Sequence, residues 1–196
     1  MDSSYNCTIS FNRIYYNDQY GMGIGDCSGI SILNNTIYHH SYGGIYIMDS
    51  SYCIIKGNEI YNNSWGVSLE GSMRIPWSEN IKNVVMENNI YLNGYGIYLI
   101  EGRENSFINN NLIDNDCNAG FNQALELDDP NPVYPIHNIW DKNYWSDWSL
   151  SLPKPIKGKL EIVLYKIGIG FVIPAYMFDK HPAMEPYGNF TLEMKP

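Results

Sequence analysis

A right-handed parallel β-helix, all-β and built as a one-dimensional solenoid, is the architecture this sequence predicts, and three observations predict it. Asparagine recurs at one phase of a repeat of about 22–23 residues, apolar residues recur at fixed offsets from it, and glycine reopens a strand at a third phase.

The marker asparagines are Asn12, Asn35, Asn58, Asn88 and Asn110, spaced 23, 23, 30 and 22 residues apart. Two residues after each stands Ile14, Ile37, Ile60, Ile90 or Leu112, and three before each stands Ile9, Ile32, Ile55, Val85 or Phe107. A second column, Asn17, His40, Asn63, Asn93 and Asn115, follows at a fixed distance. Gly21, Gly44, Gly66 and Gly96 then open strands that read Gly-Ile-Tyr-Ile, Gly-Val-Ser-Leu and Gly-Ile-Tyr-Leu in three coils. Strands this short cannot stand alone. Stacked at about 4.8 Å per coil, they bury the apolar columns and pair their backbones with the coils above and below. Asparagine suits the corners because it tolerates left-handed backbone and its amide both donates to and accepts from its copies, forming a ladder. A β-sandwich would not place one residue type at one phase, and the leucine spacing of a leucine-rich repeat is absent.

At 196 residues the chain accommodates one domain with an appendage. Met1 to Cys7 nearly repeats Met48 to Cys53, so the chain is expected to begin mid-repeat, either as the continuation of upstream β-helix coils or as an end that self-associates. His137 to Trp145 fits the phase once more, with Trp140 and Trp145 in the apolar columns and Asn143 in the ladder. Residues 1–148 are therefore read as coils and residues 149–196 as a C-terminal cap, with a hairpin or an irregular cap over the last coil expected from 158–165 and 170–173.

A net charge of −9 with only 12 Lys and Arg argues against nucleic acid and anionic membrane surfaces as partners. The most apolar stretch, 160–178, is broken by Lys166, Gly168, Gly170 and Pro174, so membrane insertion is not expected. The opening Met1-Asp2-Ser3 lacks the basic and apolar regions of a signal peptide.

The segment Asn143-Tyr144-Trp145-Ser146-Asp147-Trp148, followed by Phe178-Asp179-Lys180-His181-Pro182-Ala183-Met184-Glu185-Pro186-Tyr187, resembles the closing signature of bacterial and archaeal surface proteins with NosD-like β-helix domains. The coils before it resemble the same family's Asn-rich repeats, so the likeness covers nearly the whole chain. It implies a pectate-lyase-like fold, an extracellular, cell-surface or periplasmic location and, by analogy with the accessory protein of nitrous oxide reductase maturation, a link to copper. The acidic, Gly-rich linker often found after the Asn-Tyr-Trp motif is missing here.

The chemistry-bearing feature is acidic. Just after the Gly-opened strand come Asp26, Asp49, Glu70, Glu101 and Asp128, expected as one corner column with neighbours roughly 5 Å apart. Such a column suits Ca²⁺, or a carboxylate pair for glycoside cleavage, while a solvated turn explains any single member. An insertion, Gly71 to Ser78, brings Arg74 and Trp77 beside Glu70, with Arg103 a coil away. Trp, Tyr and Arg beside acids suit a sugar or uronate chain; Trp77 packed back on the stack and arginines that only neutralise the acids are the alternative.

Other constellations are weaker. His39, His40, His137 and His181 form no His-x-His or His-x-x-x-His pair, so no metal set is read, and copper rests on the resemblance alone. Cys7 and Cys53 share a phase two coils apart, beyond the roughly 7 Å a disulfide spans, and with Cys27 and Cys117 read as column fillers. Matches to the N-glycosylation pattern at Asn6, Asn34, Asn62 and Asn189 arise by chance in so Asn-rich a chain.

Three functions follow. The first is a non-catalytic secreted or cell-surface module binding polysaccharide or another extended ligand along one flank. The second is a polysaccharide lyase or hydrolase using Asp26, Asp49, Glu70 or Glu101 with Arg74 or Arg103, ranked lower because a regular column lacks the unlike carboxyl environments such catalysis needs. The third is a NosD-like accessory role.

Overall fold

A computed structural model describes residues 1–71, 80–127 and 137–188. Three strands recur in each coil and stack in parallel on their copies. The first file comprises Thr8–Ser10, Ser31–Leu33, Ile54–Lys56, Val84–Met86, Ser106–Ile108 and Ile139–Asp141. The second comprises Arg13–Tyr15, Thr36–Tyr38, Glu59–Tyr61, Asn89–Tyr91, Asn111–Ile113 and Tyr144–Trp145. The third comprises Met22–Gly25, Gly43–Met48, Trp65–Glu70, Tyr95–Ile100 and Cys117–Glu126, and Lys154–Leu164 extends it.

In three-residue strands only the middle side chain points inward, and these are the apolar columns of the sequence. Ile9, Ile32, Ile55, Val85, Phe107 and Trp140 are in register, as are Ile14, Ile37, Ile60, Ile90, Leu112 and Trp145. From the second coil on they are sealed from solvent. Residue size grows toward the C-terminal end, where Phe107 and Trp140 stack at 4.0 Å and Trp145 follows at 6.1 Å. Large rings there close the core.

The marker asparagines form a continuous chain of side-chain bonds. Each Nδ2 donates to the next Oδ1, from Asn12 through Asn35, Asn58, Asn88 and Asn110 to Asn143, at 2.9–3.1 Å. Each backbone N–H donates to the same oxygen. The second column behaves likewise, with His40 Nδ1 accepting from the Asn17 N–H at 3.1 Å in place of an amide oxygen. A third file escaped the sequence reading: the N–H of Cys53, Asn83 and Asn105 donates in turn to the amide oxygens of Asn83, Asn105 and Asn138.

One expectation is corrected. The asparagines do not themselves take the left-handed conformation; the preceding residue does, at Phe11 (φ 57°), Asn34 (53°), Gly57 (66°), Glu87 (56°), Asn109 (56°) and Lys142 (57°). The turn thus accepts almost any residue type, because the adjacent Asn, through its bonds inside the coil, offsets the roughly 1–2 kcal/mol that a left-handed non-Gly residue costs. The Gly21, Gly44, Gly66 and Gly96 column has a different cause. A Cβ on Gly66 would lie 2.6 Å from the Gly96 carbonyl, 2.7 Å from Ile90 Cγ2 and 3.2 Å from Asn93 Nδ2, so the next coil leaves no room for a side chain.

The start of the chain joins the stack one residue away from its sequence likeness. Asp2 bridges Gly25, and Gly25 pairs with Met48, so Asp2 shares a phase with Met48 rather than Asp49. At the other end, Lys154–Leu164 and Ile169–Asp179 form an antiparallel hairpin longer than the expected segments. Its base, with Ile156, Ala175 and Met177, packs on the last coil.

Candidate functional site

The third strand of each coil directs Ile45, Ile47, Val67, Leu69, Ile97 and Leu99 inward and its alternate residues outward. One outward row is Gly23, Tyr46, Ser68, Tyr98 and Gly120; the next is Gly25, Met48, Glu70, Ile100 and Asn122. Tyr20 stacks on Tyr46 at 4.7 Å, Tyr42 lies 5.9 Å from Tyr20, and Tyr95 meets Tyr98 edge-on at 5.1 Å. The Tyr46 hydroxyl donates to Glu70 Oε2 at 2.8 Å. Burial, and then the Glu70 charge, push the Tyr46 and Tyr20 hydroxyls above the usual phenol range, and burial does the same to Tyr98. All three keep their protons at neutral pH and offer neutral hydroxyls beside ring surface.

The predicted acidic column is only partly assembled. Asp26, Asp49 and Glu101 occupy the same left-handed corner, at φ 49°, 46° and 52°. Their N–H groups donate to Met48, Glu70 and Asn122 carbonyls. Glu70 stands one step earlier, in register with Met48 and Ile100, and Gly71 takes the corner position of its coil. The reason is parity. Glu70 ends the strand with its side chain outward on the sheet face, whereas the other three are the turn residues that follow the strand. Asp26 is exposed, Asp49, Glu70 and Glu101 are half-buried, and Glu101 Oε2 accepts the Ala124 N–H at 3.0 Å. Arg103, half-buried, lies in a short parallel pairing of Gly102–Arg103 with Asn80–Ile81 beside this corner. Arg74, Trp77 and Asp128 lie outside the described residues.

A second outward feature was missed in sequence. Tyr15, Tyr38, Tyr61 and Tyr91 stack face to face on the second sheet at 5.3, 4.8 and 4.8 Å. Arg13 lies over the first two rings, and the Tyr91 hydroxyl donates to Glu59 at 2.9 Å. The repeated dipeptide Ile-Tyr at 14–15, 37–38, 60–61 and 90–91 carried the signal. Tyr38, Tyr61 and Tyr91 are at most 8% exposed, so this column largely covers itself. A cleft of about 420 Å³ lies nearby between Glu87, Asn89, Asn109, Asn111, Tyr187 and Gly188. Its Asn111 amide is engaged by the Tyr187 backbone on both sides and by Asn89, which leaves that amide little for a ligand.

The segments 143–148 and 178–187 terminate the stack. Asp179, sealed from solvent, receives the first amide column: Oδ2 accepts Asn143 N–H (2.9 Å), Asn143 Nδ2 (3.0 Å) and Trp145 Nε1 (3.0 Å). Its Oδ1 accepts the Lys142 and His181 N–H groups at 3.1 and 3.2 Å. The second column ends on Asp147, through Asn115 to Asn118 and Asn118 to Asp147, which also pairs with Lys154 at 2.7 Å. Among the described residues no cluster of three His, Cys, Asp or Glu is placed to hold a metal, all four cysteines are free, and no helix is long and apolar enough to cross a membrane.

Residues 1–126 match a family model described as the right handed beta helix region. No curated protein matches the chain. Among solved structures, a variant of the periplasmic alginate epimerase AlgG aligns at TM-score 0.57 and 23% identity, over 73% of this chain and 33% of that one. The Azotobacter vinelandii mannuronan C-5 epimerase AlgE6 A-module aligns at TM-score 0.55 and 18% identity, over 73% of this chain and 41% of that one. The chain therefore spans well under half the length of these structures, and the likeness is one of fold.

Proposed function

The chain belongs to the right-handed β-helix region family, and from that premise we propose that it is a non-catalytic β-helix module of the cell surface or periplasm that binds an extended polysaccharide along the outer face of the third sheet. The observation that carries the reading is the tyrosine face, Tyr20, Tyr42, Tyr46, Tyr95 and Tyr98, set around Glu70 and bordered by Asp26, Asp49 and Glu101. Tyrosine rings stack on the apolar faces of sugars, and neutral hydroxyls and carboxylates bond to their hydroxyl groups. The coils advance about 4.8 Å per rung, so a polymer along the axis meets similar groups step after step. Arg103 borders the strip in this reading, and Ca²⁺ at the corner carboxylates would link them to a uronate chain. That the two neighbours are named for alginate and mannuronan favours an acidic polysaccharide.

Calorimetric titration against alginate, other uronates and neutral glycans, with and without Ca²⁺, tests this. Binding weakened by Tyr42→Ala is expected, and no binding by any glycan overturns the proposal. Both neighbours are epimerases and Tyr46 bonds to Glu70, which favours a catalytic second reading. The raised pKa keeps the Tyr46 hydroxyl protonated at neutral pH, so no phenolate is on hand to act as a base, and we rank this reading lower. NMR of alginate after incubation, or absorbance from unsaturated products, would reveal epimerised or cleaved chains and replace binding with catalysis. A NosD-like accessory role remains the third reading. The residues that carry that resemblance, Asn143, Trp145, Asp147 and Asp179, serve to close the stack, and elemental analysis for copper tests the role directly.

A further inference from the structure

The hairpin has an edge that no described strand covers. Lys154–Leu164 is paired on both sides, parallel to Cys117–Glu126 and antiparallel to Ile169–Asp179. The far edge of Ile169–Asp179 meets a strand only at Asp179, opposite Trp140. From Ile167 to Phe178 no residue is charged. Ile167, Ile169, Phe171, Val172, Ile173 and Tyr176 are 64%, 51%, 47%, 57%, 38% and 55% exposed. Proteins blunt open edges with charges, bulges or proline, because unpaired N–H and C=O groups recruit other strands. Here only Pro174 does so.

We propose that this edge is a homodimer contact, in which a second copy of this chain pairs antiparallel across Ile169–Ile173 about a two-fold axis at Phe171. Pro174 has no N–H and sits opposite Lys159 within the hairpin, a position proline tolerates when its nitrogen faces away from the paired strand. Parity then turns the N–H and C=O of Gly170 and Val172 to the open edge. Self-pairing sets Gly170 against Val172 of the partner subunit and the reverse, closing four backbone hydrogen bonds, with Phe171 facing Phe171 of the partner subunit. The pairable segment is bounded by Gly168, at φ +65°, and by Pro174, each three residues from Phe171. Pairing about Phe171 therefore lets both copies use the whole segment, with Pro174 of each strand falling outside the bonded residues, as an isologous contact requires.

Ile162 is opposite Phe171 and Leu160 opposite Ile173, so their side chains share one face, which the dimer makes continuous. The six exposed side chains offer at most about 600 Å² per partner, of which edge pairing covers the part at the seam, so this interface is smaller than the ~800 Å² per partner of a standard one and relies on its backbone bonds. A lipid bilayer would take the apolar faces but not an open edge, whose polar groups find no partner in hydrocarbon.

Sedimentation velocity of the full chain over a concentration series tests the proposal. A dimer is expected, and Val172→Pro, which removes one open-edge N–H, should raise its dissociation constant at least ~10-fold. Phe171→Cys gives a readout in the otherwise unaltered chain. Mild oxidation should yield a disulfide-linked dimer on a non-reducing gel, in excess of the parent chain and of Tyr176→Cys. A parent chain still monomeric at about 1 mM, a dimer that survives Val172→Pro, or no excess cross-linking of Phe171→Cys would each overturn it. Flotation of monomer with phosphatidylcholine vesicles would assign the edge to lipid and overturn it as well.

Discussion

Asp179→Asn isolates the bond set that ends the stack. Five N–H donors converge on this carboxylate, three on Oδ2 and two on Oδ1, and the side chain is sealed from water. An amide keeps one acceptor and turns an NH2 group toward the donors of the other oxygen. At best the Lys142 and His181 N–H groups lose their partner, and both are only part-buried, so water recovers some of that loss. The three remaining bonds lose their charge assistance, worth about 0.5–1 kcal/mol each. With about 1 kcal/mol for each orphaned donor, the sum is about 3.5–5 kcal/mol, a large share of the 5–15 kcal/mol that holds a domain. Asp147→Asn is the comparison, since Asp147 ends the second column with its side chain 54% exposed, and a loss of at most about 1 kcal/mol is expected there. Urea unfolding followed by near-ultraviolet circular dichroism, which reports Trp140 and Trp145, measures both variants. If Asp179→Asn costs less than about 1 kcal/mol, or no more than Asp147→Asn, the buried carboxylate does not hold the end of the stack.

Gly66→Ala should destabilise by about 2–3 kcal/mol in the same assay, because its Cβ would meet the Gly96 carbonyl at 2.6 Å and rigid Ile90 at 2.7 Å. His40 accepts the Asn17 N–H at Nδ1 and therefore carries its proton on Nε2, facing the Ile14 carbonyl at 3.2 Å. Burial lowers its pKa below the unfolded value, so its stabilisation is complete above about pH 6.5 and is lost as pH falls through the folded value. His40→Asn, which restores the amide of the column, should remove that part of the acid sensitivity; equal pH dependence of the two proteins between pH 7 and 5 would refute the assignment. Tyr42→Ala, at a ring 52% exposed, should weaken glycan binding about 3- to 10-fold by calorimetry with little change in unfolding midpoint.

Phase was legible in the sequence because a solenoid turns periodicity directly into contact. Asn35 had to lie between Asn12 and Asn58, and Ile37 between Ile14 and Ile60, once coils stack at a fixed rise. The closing aromatics Trp140 and Trp145 were legible for the same reason. Parity was harder to read. Glu70 and Asp49 are one residue apart in phase, which leaves their sequence distance nearly unchanged yet moves one to the sheet face and the other to the turn. The same single-residue ambiguity put the left-handed turn on Asn12 rather than Phe11, and aligned Asp2 with Asp49 rather than Met48.

What composition and period determined alone is the coil: which residues stack, which face inward, and that amides and aliphatics form separate files. Only the tertiary structure decided how the files end. Asp179 is 36 residues from Asn143, and Asp147 meets Asn118 from 29 residues away, pairs of positions that no repeat phase relates. The tertiary structure alone also set Tyr46 against Glu70, 24 residues on, and left the edge of Ile169–Ile173 unpaired by any described strand. Periodicity specifies contacts between equivalent positions one coil apart, whereas caps, open edges and side-chain pairs across unlike positions follow from where the chain happens to return in space.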